Sequence, residues 1–208
     1  MGRIRELAAE KKLPYVTIVL IVINVAYYLI VAFGGSTFSM SYMLSRGADY
    51  SPLVFEGHEY WRLLTCMFLH FSLRHLAGNM VYLGIVGWSY EGIVGHLKFF
   101  LVYMLSGIGS SVVSCAWHQL SGEYAVSAGA SGAVYGIIAM VIYLMYIAKK
   151  RTGSRILLSR IAVILVFLLY SNFVSGEGVD VAAHVGGLFF GVLLSLLFLP
   201  YKKKGRTY

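Results

Sequence analysis

Ser127-Ala-Gly-Ala-Ser131-Gly132-Ala-Val-Tyr135-Gly136 opens a hydrophobic run, and its reading decides the fold. The stretch is built of small residues, which let another helix approach closely, and it carries a hydroxyl that needs a partner in lipid. Gly132 and Gly136 form a Gly-x-x-x-Gly strip directly after Ser131. A second strip follows a histidine later in the chain, His184-Val-Gly-Gly187-Leu-Phe-Phe-Gly191. Two such strips on two helices pack backbone to backbone and bring Ser131 toward His184. The expectation is a serine nucleophile working inside a bilayer.

Composition supports the bilayer. Of 208 residues, 59% are hydrophobic and 12% charged, with a mean hydropathy of +0.75. Soluble domains carry about a quarter charged residues, and long apolar runs indicate a polytopic membrane protein. The net charge of +8 does not indicate nucleic acid, because the basic residues sit at segment ends, where headgroups lie. Cys66 and Cys115 form no CxxC and read as buried thiols rather than a disulfide or metal site. The N-terminus lacks a secretory h-region and cleavage site, so the first apolar run is expected to be retained.

The chain divides into a tail at 1–13, one membrane domain at 14–200 and a basic tail at 201–208. Six apolar segments are expected at about 15–33, 73–91, 98–117, 131–148, 156–173 and 181–199. They are helices, since membrane strands are shorter and alternate. The predicted fold class is therefore an all-α bundle of six transmembrane helices. A long connection, 34–69, is too polar for lipid and too aromatic for a free linker, so it is expected to lie partly in the interface. Residues 92–95 read as a tight turn. One side collects Arg3, Arg5, Lys11, Lys12, Lys98, Lys149, Lys150, Arg151, Arg155, Lys202, Lys203, Lys204 and Arg206. The other has Arg46, Arg62 and Arg74, with Arg160 inside segment 5. This asymmetry places both termini in the cytoplasm.

Helical rise then sets heights. Ser131, His184 and His75 lie about 25, 22 and 24 Å above the cytoplasmic ends of their segments at about 1.5 Å per residue. All three sit at one level, a few Å below the outer surface. Ionisable groups at depth are by default functional. Each also has a plain reading: a serine bonding its own backbone, an interfacial histidine, or a His75–Asn79 pair gluing helices. Their coincidence in one plane weighs against all three holding together.

Peptide hydrolysis by serine needs a nucleophile, a base and oxyanion donors. Ser131 is the nucleophile candidate and His184 the base. Glu177 and Asp180 lie above the site, which points to a dyad without a buried Asp. The oxyanion donors are His75, Asn79 and the backbone N–H of Ser131 at a helix start. Tyr135, one turn below Ser131, either stacks on His184 or is a packing aromatic. No HExxH, Gly-x-Ser-x-Gly elbow, membrane Asp pair or P-loop is present.

In these residues the chain resembles the rhomboid family of intramembrane serine proteases. The resemblance rests on His70-Phe-Ser-Leu-Arg-His75-Leu-Ala-Gly-Asn79-Met80, on Gly129-Ala-Ser131-Gly132, and on Ala183-His184-Val-Gly-Gly187 with Gly191. Trp61-Arg62 and Glu91-Gly-Ile-Val-Gly95 also match, over about 12–199. The resemblance implies Ser131 and His184 as catalytic pair and His75 with Asn79 as oxyanion donors. Gly129, Gly132, Tyr135 and Gly187 would shape the site, and Trp61, Arg62 and Glu91 would be structural. It implies single-span membrane protein substrates within a lipid bilayer, no metal, cofactor or nucleic acid, and a prokaryotic plasma membrane. A lid at 175–180, a lateral gate in segment 5, and substrates with Gly, Pro or small residues near the cut are further expectations. The alternatives are a non-cleaving membrane-helix binder or quality-control protein, and a small transporter.

Overall fold

The computed structural model describes residues 13–153 and 179–200. Segment 5, loop residues 175–178 and the tails at 1–12 and 201–208 lie outside the described residues, and with them the expected gate and most of the lid. Among the described residues the chain is helical. It forms α1 (Tyr15–Gly34), α2 (Met40–Ser45), α3 (Ser51–Phe55), α4 (Arg62–Thr65), a 3-10 turn (Cys66–Phe68), α5 (Leu73–Val94), α6 (His96–Ser121), α7 (Ser131–Thr152) and α8 (Val181–Phe198).

Four of the described helices are long and apolar enough to cross a membrane, namely α1, α6, α7 over Ser131–Arg151, and α8. α5 is as long but carries Arg74, His75, Asn79 and Glu91. The outward face of α1 is apolar as well, with Val19, Val22, Ile23 and Ile30 exposed. A helix apolar all round suits lipid rather than water. α5 runs through to Val94 rather than stopping at 91, so the expected turn at 92–95 shrinks to its last residue. Gly95 alone breaks the helix, at φ 94°, a region an L side chain rarely adopts.

The core lies between α6, α7 and α8, with Phe99, Val102, Tyr103, Ile137 and Met140 fully buried. These helices meet through small residues. A Cβ on Gly187 would collide with the carbonyl of Gly132, and one on Gly191 with the carbonyl of Gly136. The matched order of these two pairs shows that α7 and α8 run in the same direction. The strip on α7 itself faces a third helix: Cβ atoms on Gly132 and Gly136 would collide with Ser110 and Ser106 of α6. Ser110 in turn donates to the carbonyl of Ala183 at 2.7 Å. Backbone contact without side chains is the packing route available where lipid removes the hydrophobic drive.

Glu91 fastens α1 to α5 at the opposite end of the bundle from Ser131. It is fully buried. Its carboxylate accepts from the N–H groups of Val16 and Thr17 at 3.0 and 2.8 Å, from the Thr17 hydroxyl at 2.5 Å, and pairs with His96 at 2.5 Å. Two of these donors are first-turn N–H groups of α1, which have no intrahelical partner. Glu91→Ala strands them in apolar surroundings and is expected to cost about 3–5 kcal/mol. Thermal unfolding in detergent checks this; a midpoint within a degree of wild type would contradict it.

The connection between α1 and α5 is folded, not a free loop. Arg62 is buried and donates to the carbonyls of Leu44 and Ala48 at 2.7 and 2.9 Å. Its guanidinium pairs with Glu59 at 2.6 Å and stacks over the Trp61 ring. Phe38, Met40, Tyr60 and Trp61 remain exposed.

Candidate active site

The site is assembled around the segment that enters α7. Gly129 has φ 143°, in the region that disfavours side chains. Space excludes a side chain too: its Cβ would lie 2.7 Å from His75 Cε1, 2.8 Å from His75 Nε2 and 3.8 Å from Asn79 Nδ2. His75 and Asn79, one turn apart on α5, therefore both face the backbone two residues before Ser131. The segment is pinned from behind. Gly129 N–H donates to the Cys66 carbonyl at 2.9 Å, and Ala130 N–H donates to His70 Nε2 at 3.4 Å.

Ser131 is the first residue of α7 and is half-buried. Backbone N–H groups in a first helical turn lack intrahelical partners and point at any ligand set there. Tyr135 follows one turn later, and its ring lies stacked on that of His184, centroids 4.1 Å apart and planes 12° from parallel. The imidazole of His184 is thereby held beside the turn that Ser131 opens. His184 sits one turn before Gly187, at the level where α8 touches the Gly132 carbonyl. Gly132 and Gly187 set the helix separation, and Tyr135 sets the plane of the ring.

Asn79 is 7% exposed, and its Nδ2 has no hydrogen-bond partner among the described residues. An unmade bond on a buried amide costs about 1–3 kcal/mol. Such a donor, aimed at the backbone next to a hydroxyl, is available to a negative oxygen that forms there during a reaction. Among the described residues no group of three or more His, Cys, Asp or Glu could hold a metal ion.

Several residues around the site were given no role from the sequence, although His70 opens one of the matched stretches. His70 is buried, and burial pushes its imidazole down to about 3. It stays neutral, with the proton on Nδ1 and Nε2 accepting from Ala130. Asp49 pairs with Ser127 through two backbone bonds, at 2.8 and 2.9 Å. Its Oδ1 accepts from the Cys115 thiol at 2.8 Å. Ser106, Ser110 and Ser114 recur at every fourth residue of α6, and that spacing was the one readable trace of the helix-contact face.

Burial raises the Asp49 carboxyl to about 6; the Asp180 charge adds to the rise, while the Cys115 bond opposes it. A raised carboxyl binds its proton more tightly folded than unfolded. Its contribution to stability therefore falls as pH climbs from about 4 to about 6, a loss of about 3 kcal/mol carried in full above that range. Asp49→Asn is expected to unfold several degrees higher than wild type at pH 8, with the difference gone at pH 4. Equal differences at both pH values would refute this.

Comparison with known proteins adds an independent line. The family model described as Rhomboid domain matches residues 57–201. The chain is 31% identical over 206 residues to Rhomboid protease AarA of Providencia stuartii, covering 89% of this chain and 73% of that protein. It is 30% identical over 178 residues to Rhomboid protease GluP of Bacillus subtilis (strain 168), covering 86% of this chain and 34% of that one. RHOMBOID-like protein 5 of Arabidopsis thaliana is 36% identical over 154 residues, 74% of this chain and 48% of its own length. The chain thus spans about a third of the Bacillus protein and about half of the Arabidopsis one.

Proposed function

The chain belongs to the rhomboid family and is an integral membrane protein, and from this we propose that it is an intramembrane serine endopeptidase. Ser131 attacks the scissile carbonyl, and His184 takes its proton and returns it to the leaving amine. The resulting acyl-enzyme is then hydrolysed by water that His184 activates. His75, Asn79 and the Ser131 N–H hold the oxyanion. The substrates are single-span membrane proteins cut in or near their transmembrane segment, in a prokaryotic plasma membrane. In this reading six helices span the bilayer, with both termini in the cytoplasm.

The observation that carries the proposal is the convergence of α5, α7 and α8 on one turn. The His184 ring stacks on Tyr135, one turn after Ser131, and Asn79 Nδ2, without a hydrogen-bond partner among the described residues, faces Gly129, two residues before Ser131. The unmade amide bond does not stabilise the fold. The names of two relatives, GluP and AarA, as rhomboid proteases agree with this reading.

The test is covalent labelling by a fluorophosphonate, which reports an activated serine without any need to know the substrate. Wild type is expected to label, and Ser131→Ala and His184→Ala are not. Label persisting in Ser131→Ala would remove the nucleophile assignment.

A further inference from the structure

We propose that Asp180 is a positioning residue for this reaction, one carboxylate that holds the segment entering Ser131 and the helix carrying His184 in a common register. The proposal rests on Ser131 and His184 being the reacting pair. Asp180 caps α8: its Oδ1 accepts the N–H of Ala183 at 2.8 Å. Ala183 directly precedes His184, and its carbonyl is held by Ser110 of α6 at 2.7 Å. Both backbone groups of the residue before the imidazole are therefore fixed.

The second oxygen does something a helix cap does not require. Oδ2 accepts from the Ser127 hydroxyl at 2.7 Å and also from the Ser114 hydroxyl of α6. Ser127 lies four residues before Ser131, and its backbone is paired on the other side with Asp49. Serine or asparagine would cap α8 about as well as aspartate. Neither offers a second anionic acceptor for two hydroxyls from two further segments. The carboxylate thus links three elements, α6, the segment entering α7, and the first turn of α8.

The register matters because the pair comes from separate helices. A misplacement of about 1 Å between reacting groups costs about a hundredfold in rate. The glycine contacts fix how far apart α7 and α8 stand. They leave sliding along the axes less constrained, since glycine backbones present a smooth surface. Asp180 ties the two ends where sliding would move Ser131 past His184.

The experiment compares Ser127→Ala, Ser127→Thr and Asp180→Asn with wild type in proteoliposomes. It reads kcat and KM on a single-span substrate, the fluorophosphonate labelling rate, and the unfolding midpoint. Ser127→Ala removes one hydroxyl and leaves the cap intact, so it keeps the test clear of folding failure. We expect kcat and labelling to fall at least about tenfold in Ser127→Ala and Asp180→Asn, with KM within about twofold. Ser127→Thr, which keeps the hydroxyl, is expected to recover most of the rate. Variants that fold and retain kcat within about twofold of wild type would overturn the proposal. So would a rate loss that follows the unfolding midpoint and is not recovered by threonine. A wild-type protein that neither cuts nor labels would instead overturn the Ser131–His184 reading, and this proposal with it.

Discussion

Turnover of a reconstituted single-span substrate is expected to fall roughly 10⁴-fold or more in Ser131→Ala, and the Ser131→Ala/His184→Ala double variant should be no slower. Groups that act as one unit lose their effect together, so the second deletion finds nothing left to remove. Losses that multiply would mean that the hydroxyl and the imidazole act separately, and the mechanism would fail. Folding is not at stake in the serine variant. Ser131 is half-buried at a helix start, where alanine is readily accommodated. Asn79→Ala should behave differently, with about 10²–10³ lost from kcat, the scale of one oxyanion donor. Because Asn79 Nδ2 has no ground-state partner among the described residues, its removal should not lower stability.

Gly187→Val is expected to have the largest effect on the fold. The new Cβ would overlap the Gly132 carbonyl, which is backbone and cannot rotate away. α8 must then separate from α7, and the same displacement breaks the contact of Gly191 with Gly136. Overpacking of a rigid contact costs about 1–3 kcal/mol where side chains can adjust. Here they cannot, and a loss above about 4 kcal/mol is the expectation for such a case. The Tyr135–His184 stack would be lost with the helix contact, so any folded fraction should be inactive. Stability and labelling of Gly187→Val measure this; a well-folded variant that labels at the wild-type rate would rule out the close packing. Gly78, whose Cβ would meet nothing within 4 Å, provides the comparison: Gly78→Ala should be tolerated.

The helices and the small-residue contact were legible because both are written locally. Apolar runs bounded by charge mark the spans, and a glycine every fourth residue marks a face that another backbone approaches. The third helix at that contact was not legible. Two strips suggested that α7 and α8 meet strip to strip. In the structure they do, with the Cα and carbonyl atoms of Gly132 and Gly136 against Gly187 and Gly191, but the α7 strip also receives Ser110 and Ser106 of α6. The choice among three helices depends on geometry that no single stretch encodes. Asp180 illustrates the same limit. By position it is a loop acid above the site, and nothing in its neighbours announces that Ser114 and Ser127 will both reach it. Asp49 and His70 sit in a connection whose folding depends on Arg62 finding the carbonyls of Leu44 and Ala48. Partners this distant in the chain leave no periodic trace.

The order of the helices has a consequence for biosynthesis. The His184 imidazole arrives on α8, after His75 and Asn79 on α5 and the Ser131 hydroxyl on α7 have already left the ribosome. Until then the carbonyls of Gly132 and Gly136 lack the backbone that covers them, and Ser131 would lack its proposed base. Under the proposed mechanism, a nascent chain threading through the insertion machinery, surrounded by other unfinished membrane chains, would thereby be harmless to its neighbours. It would gain the power to cut only when its last described helix closes the bundle.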